Sequence, residues 1–388
     1  MFKHIFTIIW NRKGKNALLL AEIFFSFFIL FVVMSFVITN MRTLSSPLGF
    51  QTEDIWVAYL PDLSDRDSTE SADMKDRLRR ELLTYSEIES ASYSAHVTPF
   101  AGSNWATGND DNGFMMQTYM MMTDENYQET MNVELIAGRW FTEEDLLGKY
   151  PPVVINRKLF EEVFGGEPII DSVYVFEEES KVVGVIDHFK YQGEFAEEPN
   201  LTFFYHPSYL PEVDILNLRI KPGTNPEFEE TVNKTIASIT KSPDFVIRHL
   251  DNERVEESRS TWIPMIALVV ISSFLIVNIA LGLFGVLWYN ISKRRAEIGL
   301  RRALGASQGN IIQQFMGEIL LITSLGMILG LFFAIQFPLL KVFEIPASNF
   351  YFAMLSAAGI ILAIVGLCTF YPSYQASLTH PSTALHEE

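Results

Sequence analysis

Four stretches of the 388-residue chain stay apolar for about the 20 residues that a helix needs to cross a bilayer core: residues 17–38, 263–291, 315–340 and 350–371. The pattern predicts four membrane-crossing helices. Between the first and second, residues 41–261 have mixed composition, and periods of two and of 3.6 residues take turns. Ile55-Trp-Val-Ala-Tyr-Leu60 and residues 153–155, 173–176, 182–186, 201–205 and 215–220 read as strands. Residues 72–85, with Met74, Leu78, Leu82 and Tyr85 on one stripe, and residues 228–240 read as helices. The expected fold class is an α-helical membrane protein with four transmembrane helices and a mixed α/β (α+β) extracytoplasmic domain inserted between the first two. Glycine and proline at Ala137-Gly-Arg139 and Lys149-Tyr-Pro-Pro152 mark a division of that domain into two lobes, with a boundary near 137–152.

Charge orients the chain. Residues 41–261 hold 41 of the 47 acids and 19 of the 29 bases, so the insert carries −22 and the rest +4, for a net −18. Lys3, Arg12, Lys13 and Lys15 precede the first apolar run, and Lys293, Arg294, Arg295, Arg301 and Arg302 follow the second. Both basic groups belong on the cytoplasmic side. The loop between the third and fourth runs sets Lys341 against Glu344 and is permitted outside. The predicted layout is a basic cytoplasmic segment (1–16), a first membrane helix (17–40), the insert (41–261), a stalk end and second helix (262–291), a cytoplasmic helix and turn (292–310), a third helix (311–340), a short outer loop (341–349), a fourth helix (350–371) and a cytoplasmic tail (372–388). Both termini are then cytoplasmic and the insert periplasmic. The charged residues 251–260 predict a helical stalk ahead of the second crossing, with Pro264 placed to bend or interrupt it. The first run is too long for a signal-peptide centre, and Thr39-Asn-Met-Arg-Thr-Leu44 offers no small-x-small cleavage site, so it reads as a retained anchor. The single cysteine, Cys368, lies in the fourth run, which leaves the insert to be held by a packed core.

Candidate chemistry is sparse. The methionines of Phe114-Met-Met-Gln-Thr-Tyr-Met-Met-Met122 suit either a soft copper site or a core strand, and no cysteine or spaced histidine accompanies them: His96, His188, His206 and His249 are scattered. No Gly-x-Ser-x-Gly is present, and neither Gly14-Lys-Asn nor Gly148-Lys-Tyr forms a phosphate-binding loop. The chain is therefore not expected to be an enzyme or to bind a cofactor. Asn200-Leu-Thr and Asn233-Lys-Thr match only a short glycosylation pattern. Glu22 and Glu318 are the ionisable residues within the apolar runs, with Asn278 and Gln336 as further polar positions, which is too little lining for a simple channel or carrier. Gly326 and Gly330 in the third run, and Gly359 and Gly366 in the fourth, form small-residue faces suited to packing within the chain or to a dimer seam.

The stretch Arg294-Arg-Ala-Glu-Ile-Gly-Leu-Arg-Arg-Ala-Leu-Gly-Ala-Ser307 holds more. At 100° per residue its four arginines share one arc, and Ala296, Leu300, Ala303 and Leu304 lie on the opposite one. Gly305 is placed to end this helix in a left-handed turn, and Ser307 to cap the next. A loop whose arginines bind lipid phosphate is the plain reading. A short helix clamped at both ends by membrane helices also makes a rigid contact that a cytoplasmic partner can push.

That stretch, continued through Ile311, Gln314, Phe315, Glu318 and the run from Gly326 to Gly330, resembles the signature of the MacB/FtsX-type permeases of ABC transporters. Tyr371-Pro-Ser-Tyr-Gln-Ala-Ser-Leu-Thr-His-Pro-Ser-Thr-Ala-Leu385 is similar to the family's C-terminal motif, although Tyr374, Gln375 and His386 stand in a region where arginines are usual. Ala137-Gly-Arg-Trp-Phe-Thr-Glu-Glu-Asp145, Pro152-Val-Val-Ile-Asn156, Phe164-Gly-Gly166 and Val182-Val-Gly-Val-Ile-Asp187 resemble its periplasmic core domain. The resemblance implies a bacterial inner-membrane protein that works as a homodimer, or as a heterodimer with a sister permease. It implies a separate cytoplasmic ABC ATPase that binds ATP and Mg, with Glu297, Gly299, Arg301, Arg302 and Gly305 at the contact. Export of a drug, peptide or lipid-linked substrate from the periplasm follows, with room for a periplasmic adaptor and an outer-membrane channel. Membrane lipid is the remaining partner, and nucleic acid is not among them. Two alternatives stand beside this: an FtsX-like regulator of a cell-wall hydrolase, and a membrane sensor with an extracytoplasmic ligand-binding domain.

Overall fold

The computed structural model describes residues 13–61, 68–95, 97–112, 115–206 and 214–378. Lys3, Arg12, His96, Phe114 and the tail from Thr379 onward lie outside the described residues. The chain divides into a helical unit, Met1–Arg42 with Trp262–Glu388, and an inserted unit, Thr43–Thr261.

Helix α1 (Lys13–Leu44) opens the described chain. In the inserted unit follow β1 (Ile55–Tyr59), α2 (Ser68–Leu82), β2 (Ile88–Ala95), β3 (Ala106–Asn109), β4 (Met116–Thr123), α3 (Tyr127–Met131) and β5 (Leu135–Gly138). After a 3-10 turn (Glu143–Leu147) come β6 (Pro152–Asn156), α4 (Arg157–Glu162), β7 (Val173–Val175), β8 (Glu179–Ile186), β9 (Leu201–Phe204), β10 (Ile215–Ile220), α5 (Phe228–Thr240) and β11 (Val246–His249).

The strands form one mixed sheet in the order β11-β1-β10-β2-β4-β9-β6-β8-β5, with β3 on β4 and β7 on β8. This order corrects the lobe boundary expected near 137–152. Strand β10, from late in the insert, lies between β1 and β2, and β9 pairs with both β4 and β6. Among the described residues β2 and β4, at the middle of this order, are joined by two residue pairs, Ser94 with Thr123 and Ala95 with Met122. Glycine and proline at 137–152 mark turns inside the second half, which turn chemistry alone cannot distinguish from a domain boundary.

Both faces of the sheet are covered, so the strands alternate between two cores instead of between core and water. Ile55 and Val57 enter one core with Tyr127, Phe189 and Phe203. Trp56 and Ala58 enter the other with Leu78, Leu82, Val232 and Ile236 of α2 and α5. The methionine stretch follows the same rule: Met116, Met120 and Met122 pack on the helix side and Met121 on the opposite one.

At the β2–β4 junction, Arg79 of α2 donates to Asp124 at 3.0 Å and to Glu125 at 3.1 Å, and Asp124 also accepts from the Tyr93 amide at 2.8 Å. Burial, with Glu125 beside it, pushes the Asp124 carboxyl up to about 7, while the Arg79 guanidinium pulls the other way. A native pKa above the unfolded one means that the native chain binds more protons in between. The stability this contributes is complete below about pH 4 and is lost as the pH rises to about 7. Across that window Asp124→Asn, which cannot ionise, is expected to gain on the native chain with rising pH, by as much as about 4 kcal/mol. Denaturation midpoints of the two chains in lipid nanodiscs at pH 5 and pH 8 check this, and a pH-independent difference contradicts it.

The loop from Asp187 to Glu198 ties down the two chain ends of the inserted unit. Lys190, 2% exposed, donates from Nζ to the carbonyl oxygens of Thr43 at 2.8 Å and Glu194 at 2.7 Å, and its amide donates to Leu48 O. The Glu194 carboxylate accepts from Arg254 Nε at 2.8 Å and Ser258 Oγ at 3.2 Å. Gly49 (φ +85°) passes so close to this loop that a Cβ would lie 1.8 Å from His188 O, so glycine is required there.

Arg254 and Ser258 sit at the start of α6 (Leu250–Ser292), a helix of 43 residues that does not end at Pro264. Then come α7 (Arg295–Ala303), α8 (Gln308–Ala334), α9 (Gln336–Leu339) and α10 (Ala347–Ser377). Among the described residues four helical spans are long and apolar enough to cross a membrane: Leu19–Leu44, Leu250–Val286, Gln308–Leu339 and Ala347–Ser377. The shortest has 26 residues, rising about 39 Å against a hydrocarbon core of about 30 Å. Phe31 of α1 packs against Phe337 at 5.4 Å and Phe350 at 6.2 Å between ring centroids. At the end of α1, Arg42 donates to Ser348 Oγ at 3.0 Å and to Asn349 Oδ1, and lies 4.6 Å over the Phe352 ring. The apolar window of α6 is 11% buried, against 33–39% for the other three, so α6 offers most of its apolar face to lipid or to another chain.

Candidate functional site

Helix α7 joins the second and third membrane helices. Its end follows from Gly305, whose φ of +95° lets the chain reverse while the Gly305 and Ala306 amides donate to the carbonyls of Arg302 (3.1 Å) and Arg301 (3.0 Å). Two residues later Ser307 takes an extended conformation, and its hydroxyl accepts from the Asn310 amide at 3.2 Å to start α8. Helix, reversal and cap occupy the positions that the sequence reading assigned.

What holds α7 was only half legible. Ile298, on the arc of the arginines, is 2% exposed and packs with Ile291, Ile311, Phe315 and Ala376. The apolar arc opposite points out: Leu300 is 53% and Leu304 80% exposed. Arginine turns inward beside Ile298. Arg294 Nη1 donates to Glu318 Oε2 at 2.8 Å, with both side chains about nine-tenths buried, and its guanidinium lies 5.5 Å from the Phe315 ring centroid. Gln314 Nε2 donates to Glu318 Oε1 at 3.2 Å, Arg301 Nη1 donates to Gln314 Oε1, and Arg301 Nη2 donates to Glu297 Oε1 at 2.6 Å. The chain from Glu297 through Arg301, Gln314 and Glu318 to Arg294 fastens α7 to the first turns of α8. Glu318, an acid in an apolar run, thus finds a neutralising partner within the chain.

Of the other residues singled out from sequence, Glu297 and Gly305 are exposed, Arg302 is half-buried and Gly299 is buried. The glycines divide. A Cβ on Gly326 would lie 2.9 Å from Ile23 Cγ2, and one on Gly330 2.4 Å from Phe27 Cδ1, so both serve close packing of α8 on α1. Gly359 and Gly366 of α10 have nothing within 4 Å of such a Cβ.

Comparison with known proteins accords with this architecture. The chain matches the family described as MacB-like periplasmic core domain over residues 17–234, and that described as FtsX-like permease C-terminal over residues 269–381. A macrolide export ATP-binding/permease protein MacB from Neisseria gonorrhoeae (strain ATCC 700825 / FA 1090) is 24% identical over 326 residues, covering 78% of this chain and 48% of the relative. Its counterpart from Rhodopseudomonas palustris (strain BisB18) is 27% identical over 283 residues, covering 68% and 42%. The chain thus spans about half the length of the curated relatives it matches. Among solved structures, the periplasmic region of MacB from Actinobacillus actinomycetemcomitans is similar with a TM-score of 0.38 at 16% identity, over 56% of this chain and 98% of that one. The extracellular domain of the noncanonic ABC-type transporter YknZ from Gram-positive bacteria gives 0.35 at 12% identity, over 50% and 98%. With its two matched segments spanning most of the sequence, the chain belongs to the MacB/FtsX-type permeases of ABC transporters, membrane proteins with a periplasmic core domain inserted after the first transmembrane helix.

Proposed function

We propose that this permease converts ATP hydrolysis, performed by an ATPase outside these 388 residues, into motion of its periplasmic core domain. Both termini and α7 face the cytoplasm of a bacterial inner membrane, and α7 is the surface on which the ATPase pushes. ATP and Mg belong to that ATPase. Closure of two ATPase subunits under a permease dimer displaces α7. Ile298 and the Arg294–Glu318 pair pass the displacement to α6 and α8. Helix α6 carries it without a break to Arg254, where Glu194 grips the helix and Lys190 holds the carbonyl of Thr43. The work done outside the membrane is export of a drug, peptide or lipid-linked substrate from the periplasm.

The observation that carries this reading is that α7 is fastened on one side and open on the other. A lipid-phosphate loop would turn its arginines to water; here Arg294 and Arg301 are engaged within the chain and Leu300 and Leu304 are presented instead. These leucines, with Glu297 and Arg302 beside them, form the contact, since exposed apolar anchors ringed by charge are what a partner's groove buries. Leu300→Asp/Leu304→Asp is expected to abolish co-purification with the ATPase that works with this permease, and with it the permease-stimulated hydrolysis. Undiminished capture and stimulation would remove α7 from the interface. Arg301→Glu, whose partner residues lie within the chain, is expected to act more weakly than the leucine pair.

A further inference from the structure

The β2–β4 junction of the sheet opens into a cavity of about 580 Å³ between α2, the Tyr93–Asp124 contact and the 3-10 turn Glu143–Leu147. That size lies within the range of small-molecule sites, roughly 300–1,000 Å³. A second cavity of the unit, about 190 Å³ beside Glu194 and Ser258, is too small for more than a fragment. The larger cavity is built from buried groups: Tyr93 is 4%, Asp124 3% and Tyr205 3% exposed. Groups with displaced proton affinities converge on it, as in many ligand sites. Lys75 on its wall is pushed down to about 8 by burial.

Its charge selects the ligand. Five carboxyl groups, of which burial leaves Asp124 the least ionised, border the space against two cations, Lys75 and Arg79. Arg79 is already shared among Asp76, Asp124 and Glu125, and Glu125 also accepts from Tyr205 Oη at 2.8 Å. Glu143 and Glu144 are different: both are exposed at the rim, and among the described residues neither takes a hydrogen bond or ion pair. Their turn is nonetheless held in place. Asp145 accepts from the Thr142 amide at 2.9 Å and is gripped by both terminal nitrogens of Arg139 at 2.6 and 2.7 Å. Beside them Leu147 is 90% exposed, an apolar surface at the mouth of an acidic space. Among the described residues no His, Cys, Asp and Glu group has the arrangement of a metal site, so an organic cation fits better than a bare ion.

We infer that this cavity binds a small amphipathic organic cation, its ammonium or guanidinium group between Glu143 and Glu144 and its apolar body against Leu146, Leu147 and the buried tyrosines. The ligand spans the joint between β2 and β4. Arg79 and Tyr93 stand on one side of that joint, and Asp124, the 3-10 turn and Tyr205 on the other. Occupancy therefore links the two halves, and the domain gains a means of registering cargo that does not depend on α7.

The test needs no ATPase. Full-length chain in lipid nanodiscs is titrated against monodansylcadaverine, an aromatic body carrying a primary amine, and fluorescence anisotropy is recorded beside empty nanodiscs. Saturable binding is expected, at least tenfold weaker for the neutral analogue N-butyl dansylamide and at least tenfold weaker for Glu143→Gln/Glu144→Gln. The substituted residues are exposed, and among the described residues neither takes a hydrogen bond or ion pair, so the variant should keep the native melting midpoint. Binding equal in empty nanodiscs, undiminished in the variant or indifferent to the amine would overturn the assignment.

Discussion

Glu318→Leu is expected to leave the ATPase bound but to cut permease-stimulated hydrolysis at least tenfold. The substitution strands Arg294, whose side chain is 12% exposed, among Phe315 and its neighbours without a counter-charge. Breaking a buried pair from one side costs about 3–5 kcal/mol, because the remaining charge is desolvated and unpaired. The chain has a cheaper way out: Arg294 swings to water, Gln314 loses its acceptor, and α7 is released from α8. The contact surface with the ATPase would survive, but its push would no longer reach the membrane helices. Removing both charges separates the two effects. Arg294→Leu/Glu318→Leu is expected to recover most of the lost stability, since apolar replacement of a whole buried pair is close to neutral or favourable. Thermal denaturation of the purified chains and hydrolysis by the reconstituted complexes check these outcomes. A single variant as stable as the native chain would mean that the pair is not buried as described.

Gly330→Val is the second change expected to have a large effect. Its Cβ would lie 2.4 Å from Cδ1 of Phe27, a ring with no exposed surface, and that ring is locked among Leu30, Phe31 and the other members of the membrane core. Neither side can yield without separating α1 from α8. Overpacking of this kind costs about 1–3 kcal/mol in soluble cores, and more where backbones must part. Gly359→Val provides the contrast, because nothing lies within 4 Å of its added Cβ. Within one chain it is expected to be neutral or slightly stabilising, as valine exceeds glycine in helix propensity by a few tenths of a kcal/mol. Denaturation in mixed micelles should therefore rank Gly330→Val far below the native chain and Gly359→Val beside it. A large loss of dimer, but not of monomer stability, in Gly359→Val would assign the open face of α10 to the permease seam.

Much of this architecture was written in periodicities. Apolar run length located the four helices, and the reversal at Gly305 and the cap at Ser307 were legible because each depends on one residue's local chemistry. The strand at 215–220 could be named from alternation, but not its place between β1 and β2, which depends on partners more than a hundred residues away. The same limit explains the misplaced lobe boundary: glycine and proline report a turn, whereas a sheet junction is set by pairing. At α7 the helical wheel found the two arcs correctly and did not reveal which one packs. Ile298 is a lone apolar residue among arginines, and its burial is decided by Ile291, Ile311, Phe315 and Ala376 on three other helices. One clue was available: a solitary acid at 318 in an apolar run requires a cation, and Arg294 was among the nearest candidates.

The relay is tested most directly by following the core domain while the ATPase works. A spin label at Glu230→Cys, an exposed position on α5, in a Cys368→Ser background reports the distance between two permease copies in nanodiscs by double electron-electron resonance. Trapping the ATPase with ATP, Mg and vanadate is expected to shift the distance distribution in the otherwise native complex and to leave it unmoved when Glu318→Leu is added. A distribution indifferent to nucleotide, or one that shifts equally with the Arg294–Glu318 link removed, would contradict force transmission through α7.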